Sequence, residues 1–429
     1  MRGTARKVAV FLTATSLAVL ATGCGRGDDD GGAGKVPGVT SDPCPNAVDD
    51  SKGCIYLGVI SDFTGAFKGI GVPLTAGQTA YWDAVNKNGG IGDYEVDVTT
   101  HVEDNEYSPD THAEAFAGMK DDVLALAQSL GSAQTAGILA DAKAEDILIA
   151  PVSLTSGWLF EDDVIEIGTN YCSEAMNIVD YAVDTLGAKS VAAVHFPGDY
   201  GDDAAVGVRI AADARGIKFT DVPTEPGEDQ TAAIAGVLKS KADVVVVTTG
   251  PVEMATVLGG SMQQGFTGKF IGSIPTWNVA LLDTPAKEAL QANYLQASSI
   301  GNWDADTPGH EAMRAAASAA GQDPNEWFML GWATGYAMKA ALDKAVSDGD
   351  LTREGLVAAA TSLDSIDTQQ MLPDGTGNFA GDPNETAVRS TLLNKVDPTA
   401  STGVSEAVAP FVGPTAESYD FKEPCYTQY

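Results

Sequence analysis

Basic residues are scarce in this chain: 25 Lys and Arg stand against 59 Asp and Glu, a formal net charge of −34 over 429 residues. Nucleic-acid binding needs clustered cations on phosphates, and adsorption to anionic lipid needs them near the surface, so neither fits. The acids are spread along the chain, which reads as a solvated acidic surface. Histidine is thin as well, with 4 scattered copies. No C-x-x-C, H-E-x-x-H, G-x-S-x-G or Walker loop occurs, so the residue sets of a metal centre, a nucleophile elbow or a phosphate cradle are missing. Gly69-Ile70-Gly71 lacks the third glycine of a dinucleotide fingerprint. No cofactor, no metal and no catalytic residues are expected. No apolar run approaches the roughly 20 residues that span a bilayer.

What is present begins at the first residues. Arg2, Arg6 and Lys7 make a positive start, residues 8–20 form an apolar run of 13, and Ala21-Thr22-Gly23-Cys24 comes next. A charged head, a short apolar stretch and a small-residue exit read as a secretory signal peptide over residues 1–23. The exit resembles a bacterial lipobox, in which cleavage leaves a cysteine as the new first residue and its thiol carries lipid. Ala21 stands where that motif usually has Leu, and Leu20 lies one place earlier. On this reading Cys24 is the lipidation site and the remainder faces outward, anchored at the outer face of the cytoplasmic membrane; the alternative is an ordinary signal peptide that contains a cysteine. The first 23 residues hold three basic groups and no acidic one, so the mature chain is near −37. Residues 25–43 carry almost no large apolar side chain and read as a flexible linker, with Asp28-Asp29-Asp30 solvated rather than metal-binding; lipidated Cys and linker together run over residues 24–53. In an oxidising compartment Cys44, Cys54, Cys172 and Cys425 form an even set with three possible pairings. Cys44 with Cys54 and Cys172 with Cys425 is the favoured scheme.

From residue 54 onward short apolar runs alternate with helical spacing. Strands are expected at 55–60, 94–102, 123–130 and 147–150, with a helix over 72–86 on Ala76, Ala80 and Ala84. Ser108-Pro109 opens another helix with a capping serine and a proline at the first helical position. After a break the rhythm resumes, with strands at 191–196, 219–222, 244–249, 270–273 and 294–298 and helices at 202–215, 231–239 and 252–264. The run of four valines at 244–247 suits a strand buried on both faces. Residues 307–361 read as mostly helical. Strand–helix alternation implies parallel sheets covered by helices, and two such series imply an α/β protein of two lobes. Ligands in open α/β sheets sit beyond the carboxyl ends of the strands. That singles out loops beginning at Asp62, Gly131, Pro151, Pro197, Thr249 and Ser273, rich in Gly, Ser, Thr and aromatic residues, as a small-molecule cleft.

Six segments occur in order: IYLGVISDFTGAFKGIG (55–71), AYWDAVNKNGGIG (80–92), LGSAQT (130–135), IAPVSLTS (149–156), HFPGDYG (195–201) and GFTGKFIGS (265–273). Together they resemble the substrate-binding proteins of branched-chain amino acid (Leu/Ile/Val) ABC transporters, over about residues 55–393. The resemblance implies the periplasmic-binding-protein-like I fold: two Rossmann-like lobes with parallel central sheets, joined by a three-crossing hinge near residues 172, 299 and 373. Lobe one would hold 54–172 plus 300–373, and lobe two 173–299 plus 374–429. It further implies a monomeric solute receptor that closes on a small amino-acid-like or carboxylate solute and hands it to permease subunits of an ABC importer. A ligand-sensing module of the same fold is the alternative, and an enzyme is less favoured.

The resemblance also implies site residues. Ser132 matches the serine that binds an amino acid's carboxylate. Independently, it follows Gly131 and opens a helix at about Ala133, where free N–H groups favour an anion. Val152, Ser153 and Thr155 match a loop that offers a carbonyl, an amide and a hydroxyl. Tyr200 matches a tyrosine that covers the ligand on closure. Gly250, beside Pro251, matches the next contact loop, where a second expected tyrosine is missing. The family's ammonium-pairing acid is also missing, because that loop reads Ser273-Ile274-Pro275-Thr276-Trp277. Either Asp199 or Asp202 supplies the charge, or the ligand has no ammonium. Trp277, Phe67 and Trp158 are candidates to line an apolar pocket, and Trp327, Phe328 and Trp332 read as core.

Overall fold

A computed structural model describes residues 36–198, 200–227 and 229–428. The chain first lays down β1 (Val39–Thr40), β2 (Gly53–Ser61), α1 (Lys68–Lys87), β3 (Tyr94–Asp97), β4 (Val102–Asp104), α2 (Pro109–Met119), β5 (Ala125–Ser129), α3 (Ser132–Ala144) and β6 (Ile149–Pro151). It crosses through α4 (Tyr171–Asp184) and then builds β7 (Ser190–His195), α5 (Tyr200–Arg215), β8 (Lys218–Pro223), α6 (Thr231–Ser240), β9 (Val244–Thr248), α7 (Pro251–Gln263), β10 (Lys269–Gly272), α8 (Lys287–Asn293) and β11 (Tyr294–Ser298). Three helices come next, α9 (Pro308–Ala319), α10 (Glu326–Asp348) and α11 (Arg353–Thr361), and the chain ends with α12 (Pro383–Thr386), β12 (Thr391–Val396), β13 (Val404–Phe411) and α13 (Pro414–Ser418).

Two sheets result. One has the order β1-β2-β5-β6 with β3 and β4 also on β2; the other runs β13-β12-β11-β10-β9-β7-β8. Within the first only β1 is antiparallel, and within the second only the β11–β12–β13 edge is. The valine run forms β9, buried at all positions, as expected of a central strand with helices on both faces. This is the two-lobed α/β architecture expected from the alternating rhythm.

The late helices return to the first sheet through a close helix crossing. A Cβ on Gly77 of α1 would come 2.0 Å from the Phe328 carbonyl oxygen, and one on Gly331 of α10 would come 1.9 Å from that of Leu74. Only glycine allows backbones that near. Gln78, buried between them, donates to the Ala127 carbonyl at 2.5 Å and accepts from the Thr334 hydroxyl at 3.4 Å, which ties α1 and α10 to β5.

Three local expectations change. The strand read at 94–102 is two strands, because Asp97 accepts the amides of Thr99 and Thr100 at 3.0 and 2.8 Å; this side-chain turn competes with the ladder. The linker read through residue 53 is shorter. Val39 and Thr40 pair with Ile55 and Cys54, and the buried Glu95 carboxylate takes the Val48 and Asp49 amides, both at 2.8 Å. Finally, β12 and β13 add an antiparallel edge after residue 373, where no strand was read; β13 has an irregular burial pattern and contains Pro410, so period-two alternation is lost.

The crossing region is polar and buried. Asp203 of α5 accepts the amides of Ser156 and Cys172 at 3.0 and 3.1 Å and the Ser156 hydroxyl. The Ser156 oxygen accepts the Cys425 amide at 2.8 Å. Disulfides join Cys172 to Cys425 and Cys44 to Cys54, separated by 253 and 10 residues. In the chain-entropy picture such loops stabilise by about 5–6 and about 3 kcal/mol. C425S should therefore lower the melting temperature more than C44S, as differential scanning calorimetry would record; equal losses would contradict this.

Burial raises the Glu174 carboxyl to about 8. A carboxyl with a folded pKa above its unfolded value costs stability as pH climbs between the two. Burial also lowers His112 to about 4 and lowers His310, and these groups cost stability as pH falls below the usual histidine value. Burial also raises the Glu166 and Glu326 carboxyls, so the melting temperature should rise from pH 8.5 to 6.5, and Glu174→Gln should lessen that rise without abolishing it. A wild-type profile without that rise would contradict the assignment.

Candidate functional site

The loops at the carboxyl ends of both sheets meet around one cavity enclosing about 570 Å3 of space unfilled by atoms, part of it open to solvent. Phe67 and Ile70 come from the end of the β2–α1 connection and the first turn of α1, Tyr107 from the loop after β4, Leu130 to Ser132 from the β5–α3 turn, and Pro151 to Leu154 from the end of β6 and the loop after it. The crossing segment gives Ile167 and Tyr171. The second lobe gives Tyr200, Ile274 and Pro275, while α10 gives Trp327, Leu330 and Thr334. The lobes touch around this space: the rings of Phe67 and Phe196 meet edge to face at 6.4 Å, and Asn278 donates to the Gly69 carbonyl at 3.0 Å.

The wall is mostly apolar, and among its described residues none is charged. Its strongest polar feature is the start of α3. Ser132 is fully buried, and its Oγ has no hydrogen-bond partner. Gly131 has φ +106°, and a Cβ there would sit 2.0 Å from Gln134 Oε1. The glycine thus lets Gln134 fold back and donate to the Tyr107 carbonyl at 2.9 Å. A buried hydroxyl without a partner costs free energy comparable to a lost hydrogen bond. Here it stands beside the N-terminal amides of a 13-residue helix, which have no carbonyl four residues back. The arrangement fits an acceptor-bearing, negatively charged ligand group.

The wall also carries aromatic rings. Tyr171 and Tyr200 have ring centroids 4.8 Å apart, and the Tyr200 hydroxyl donates to the Thr249 carbonyl at 2.6 Å. Phe67 and Tyr107 have centroids 4.3 Å apart. Ile274 is held from behind, where its amide donates to the Glu174 carboxyl.

Of the sequence candidates, Ser132, Val152, Ser153 and Tyr200 lie in this wall, with Phe67. Ala133, Thr155, Gly250 and Trp277 do not. Ala133 lies one residue further along α3. Thr155 is buried with its hydroxyl on the Asp203 carboxylate, so it serves the crossing. Gly250 caps α7 and backs Phe67, whose Cζ lies 3.8 Å from where its Cβ would be. Trp277 is fully buried in the second lobe; its indole donates to the Thr402 carbonyl at 3.1 Å and stacks on Tyr294. The short helical turn Ile274–Thr276 turns Ile274 and Pro275 to the cavity in its place. Trp158 faces another cavity and donates to the Ser153 carbonyl at 3.1 Å, while Trp327, read as core, also reaches the wall.

Asp199 and Cys24 lie outside the described residues. Asp202 is taken up elsewhere, accepting the Gly198 amide at 2.7 Å and standing 3.0 Å from His195 Nδ1. Sequence reasoning missed Tyr107, Ile167, Tyr171, Leu330 and Thr334. Tyr107 comes from the loop after β4 and the others from the crossing and α10, and no local motif marks them.

No curated protein matches the sequence. Among solved structures, the chain is similar to a fatty acid ABC transporter substrate-binding protein from Thermomonospora curvata, with 26% identity, TM-score 0.81, and coverage of 90% of this chain and 96% of that one. A branched-chain amino acid ABC transporter protein from Thermus thermophilus with bound valine shares its fold at 16% identity and TM-score 0.74, covering 85% and 98%. A leucine-binding protein from Thermotoga maritima does so at 18% identity and TM-score 0.70, covering 84% and 99%. The family model described as periplasmic binding protein matches residues 54–402. With that span covering every loop of the cleft and all but the edge strands β1 and β13 of the two sheets, the chain belongs to the periplasmic binding protein family.

Proposed function

We propose that this protein is the extracytoplasmic solute receptor of an ABC importer, and that its solute is a monocarboxylate with an apolar tail. The observation that carries the reading is a cleft with an unpartnered buried serine at a helix start and, among its described residues, no charged side chain in its wall. The carboxylate would take Ser132 Oγ and the first amides of α3, and the tail would lie among Phe67, Ile70, Leu154, Ile274 and Leu330. Each buried methylene contributes about 0.8 kcal/mol. A desolvated ammonium without a partner costs several kcal/mol, so adding an α-amino group would cancel the gain from several methylenes. The similarity to a fatty acid substrate-binding protein supports the same solute class. A branched-chain amino acid is the second reading, favoured by the valine- and leucine-binding proteins of like fold.

Binding rather than catalysis is proposed, with lobe closure presenting the solute to permease subunits. We assign residues 54–172 plus 300–373 to one lobe and 173–299 plus 374–429 to the other, with a lipid on Cys24 as the membrane anchor. Among the described residues no helix is long and apolar enough to cross a membrane. Sensing in place of transport is the alternative for the same clamshell.

Isothermal titration of the purified protein should give tighter binding for 4-methylpentanoate and octanoate than for leucine or valine. Tighter binding of the amino acids would overturn the assignment. Ser132→Ala should weaken carboxylate binding tenfold or more, since a hydrogen bond to a charged group is worth about 1.5–3 kcal/mol; unchanged affinity would remove Ser132 from the site. Cys24→Ser should move the protein from the membrane fraction to the medium or periplasm, and continued membrane retention would contradict the lipid anchor.

A further inference from the structure

Behind the α3 start runs a buried polar chain that does not itself reach the cleft. His112 on α2 is fully buried. Its Nδ1 lies 3.1 Å from Asn105 Nδ2, and its Nε2 lies 3.1 Å from Ser129 Oγ. The Asn105 amide is oriented by two backbone partners: its Nδ2 donates to the Leu130 carbonyl at 2.8 Å, and its Oδ1 accepts the Tyr107 amide at 2.9 Å. Exchanging its nitrogen and oxygen would set oxygen against the Leu130 carbonyl. The nitrogen of a carboxamide donates and does not accept, so Nδ1 of His112 must be the acceptor. The imidazole proton is then on Nε2 and goes to Ser129 Oγ. The Ser129 hydroxyl therefore donates to Thr135 Oγ1 at 2.7 Å, and the Thr135 hydrogen turns to the Ser129 carbonyl at 3.4 Å. Every member has one consistent direction, which requires a neutral ring. Burial agrees, pushing His112 down to about 4.

The backbone groups held by this chain belong to the cleft. Tyr107 and Leu130 are in its wall, and Thr135 closes the first turn of the helix that begins at Ser132. We propose that His112, neutral and protonated on Nε2, is a positioning residue of the ligand site: through Asn105, Ser129 and Thr135 it sets where Ser132 Oγ and the α3 amides point. The inference rests on the solute-receptor reading, with Ser132 as the ligand's polar anchor. A leucine at 112 would fill space but leave Asn105 Nδ2 and Ser129 Oγ short of partners. A glutamine offers an acceptor and a donor on one side chain.

Two measurements test this. Nitrogen-15 NMR of the full protein at pH 7, labelled at histidine and assigned by the signal lost in His112→Gln, should show a neutral ring protonated on Nε2. An Nδ1-protonated or charged ring would overturn the proposal. Titration with octanoate should show His112→Leu binding about tenfold more weakly and His112→Gln within about threefold of wild type. In the same variants the amide signals of residues 130–135 should shift in His112→Leu and return toward wild type in His112→Gln. Unchanged octanoate affinity in His112→Leu, with only a lower ligand-free melting temperature, would reduce His112 to a structural residue and overturn the proposal. If wild type itself binds no octanoate, the solute reading fails separately; the amide shifts then decide, and unmoved signals at 130–135 would overturn the positioning role.

Discussion

A single buried carboxylate holds together the place where the chain changes lobes. Asp203 belongs to the second lobe, yet its oxygens take donors from the turn after β6 and from the start of α4. Ser156, one of those donors, also fixes the Cys425 backbone, and Cys425 is bridged to Cys172. Two segments thus converge on one acceptor, and the end of the chain is tied to them through Ser156 and the disulfide. Burial raises Asp203 to about 6, so its ionised form depends on these hydrogen bonds for support. The cleft exists because this crossing sets the two groups of strand ends face to face.

That constraint also governs the chemistry of the cleft. Strand ends in parallel sheets deliver loops and helix N-termini, which bring free amides but few side-chain charges. Here the charges near the cleft are spent behind it: Glu174 on the Ile274 amide, Asp62 on the Gly65 and Phe67 amides, Asp202 on Gly198. These carboxylates shape loops, and the described residues of the wall are uncharged. Ser132 Oγ, at a helix start, is left there without a partner. On the proposed reading, selectivity comes from a polar end and an apolar remainder, with no counter-charge for a cation among the described wall residues.

Much of this is legible in the sequence. The two strand–helix series, the valine strand, the glycine before Ser132 and the six family segments suffice to place the strand-end loops, and Ser132, Val152, Ser153, Tyr200 and Phe67 fall together in the wall. These positions are local, because each lies close after a strand end. Trp277 shows where local reasoning fails: two residues past the cavity-lining Ile274–Pro275 step, a helical turn rotates it into the second lobe's core. Thr155 fails for another reason, since its hydroxyl is claimed by Asp203, far along the chain on α5.

By itself the sequence determined the class of fold, the cysteines available to pair, the acidic surface and the helix-start serine, since periodicity, composition and capping act over a few residues. Only the tertiary structure decided that α10 supplies Trp327, Leu330 and Thr334 to the cleft, that Asp203 knots the crossing, and that His112 stands behind Ser132. Those are encounters between segments far apart in the chain. They are fixed by close approaches such as Gly77 against Phe328 and by the directions of buried hydrogen bonds, which no short stretch of chain records.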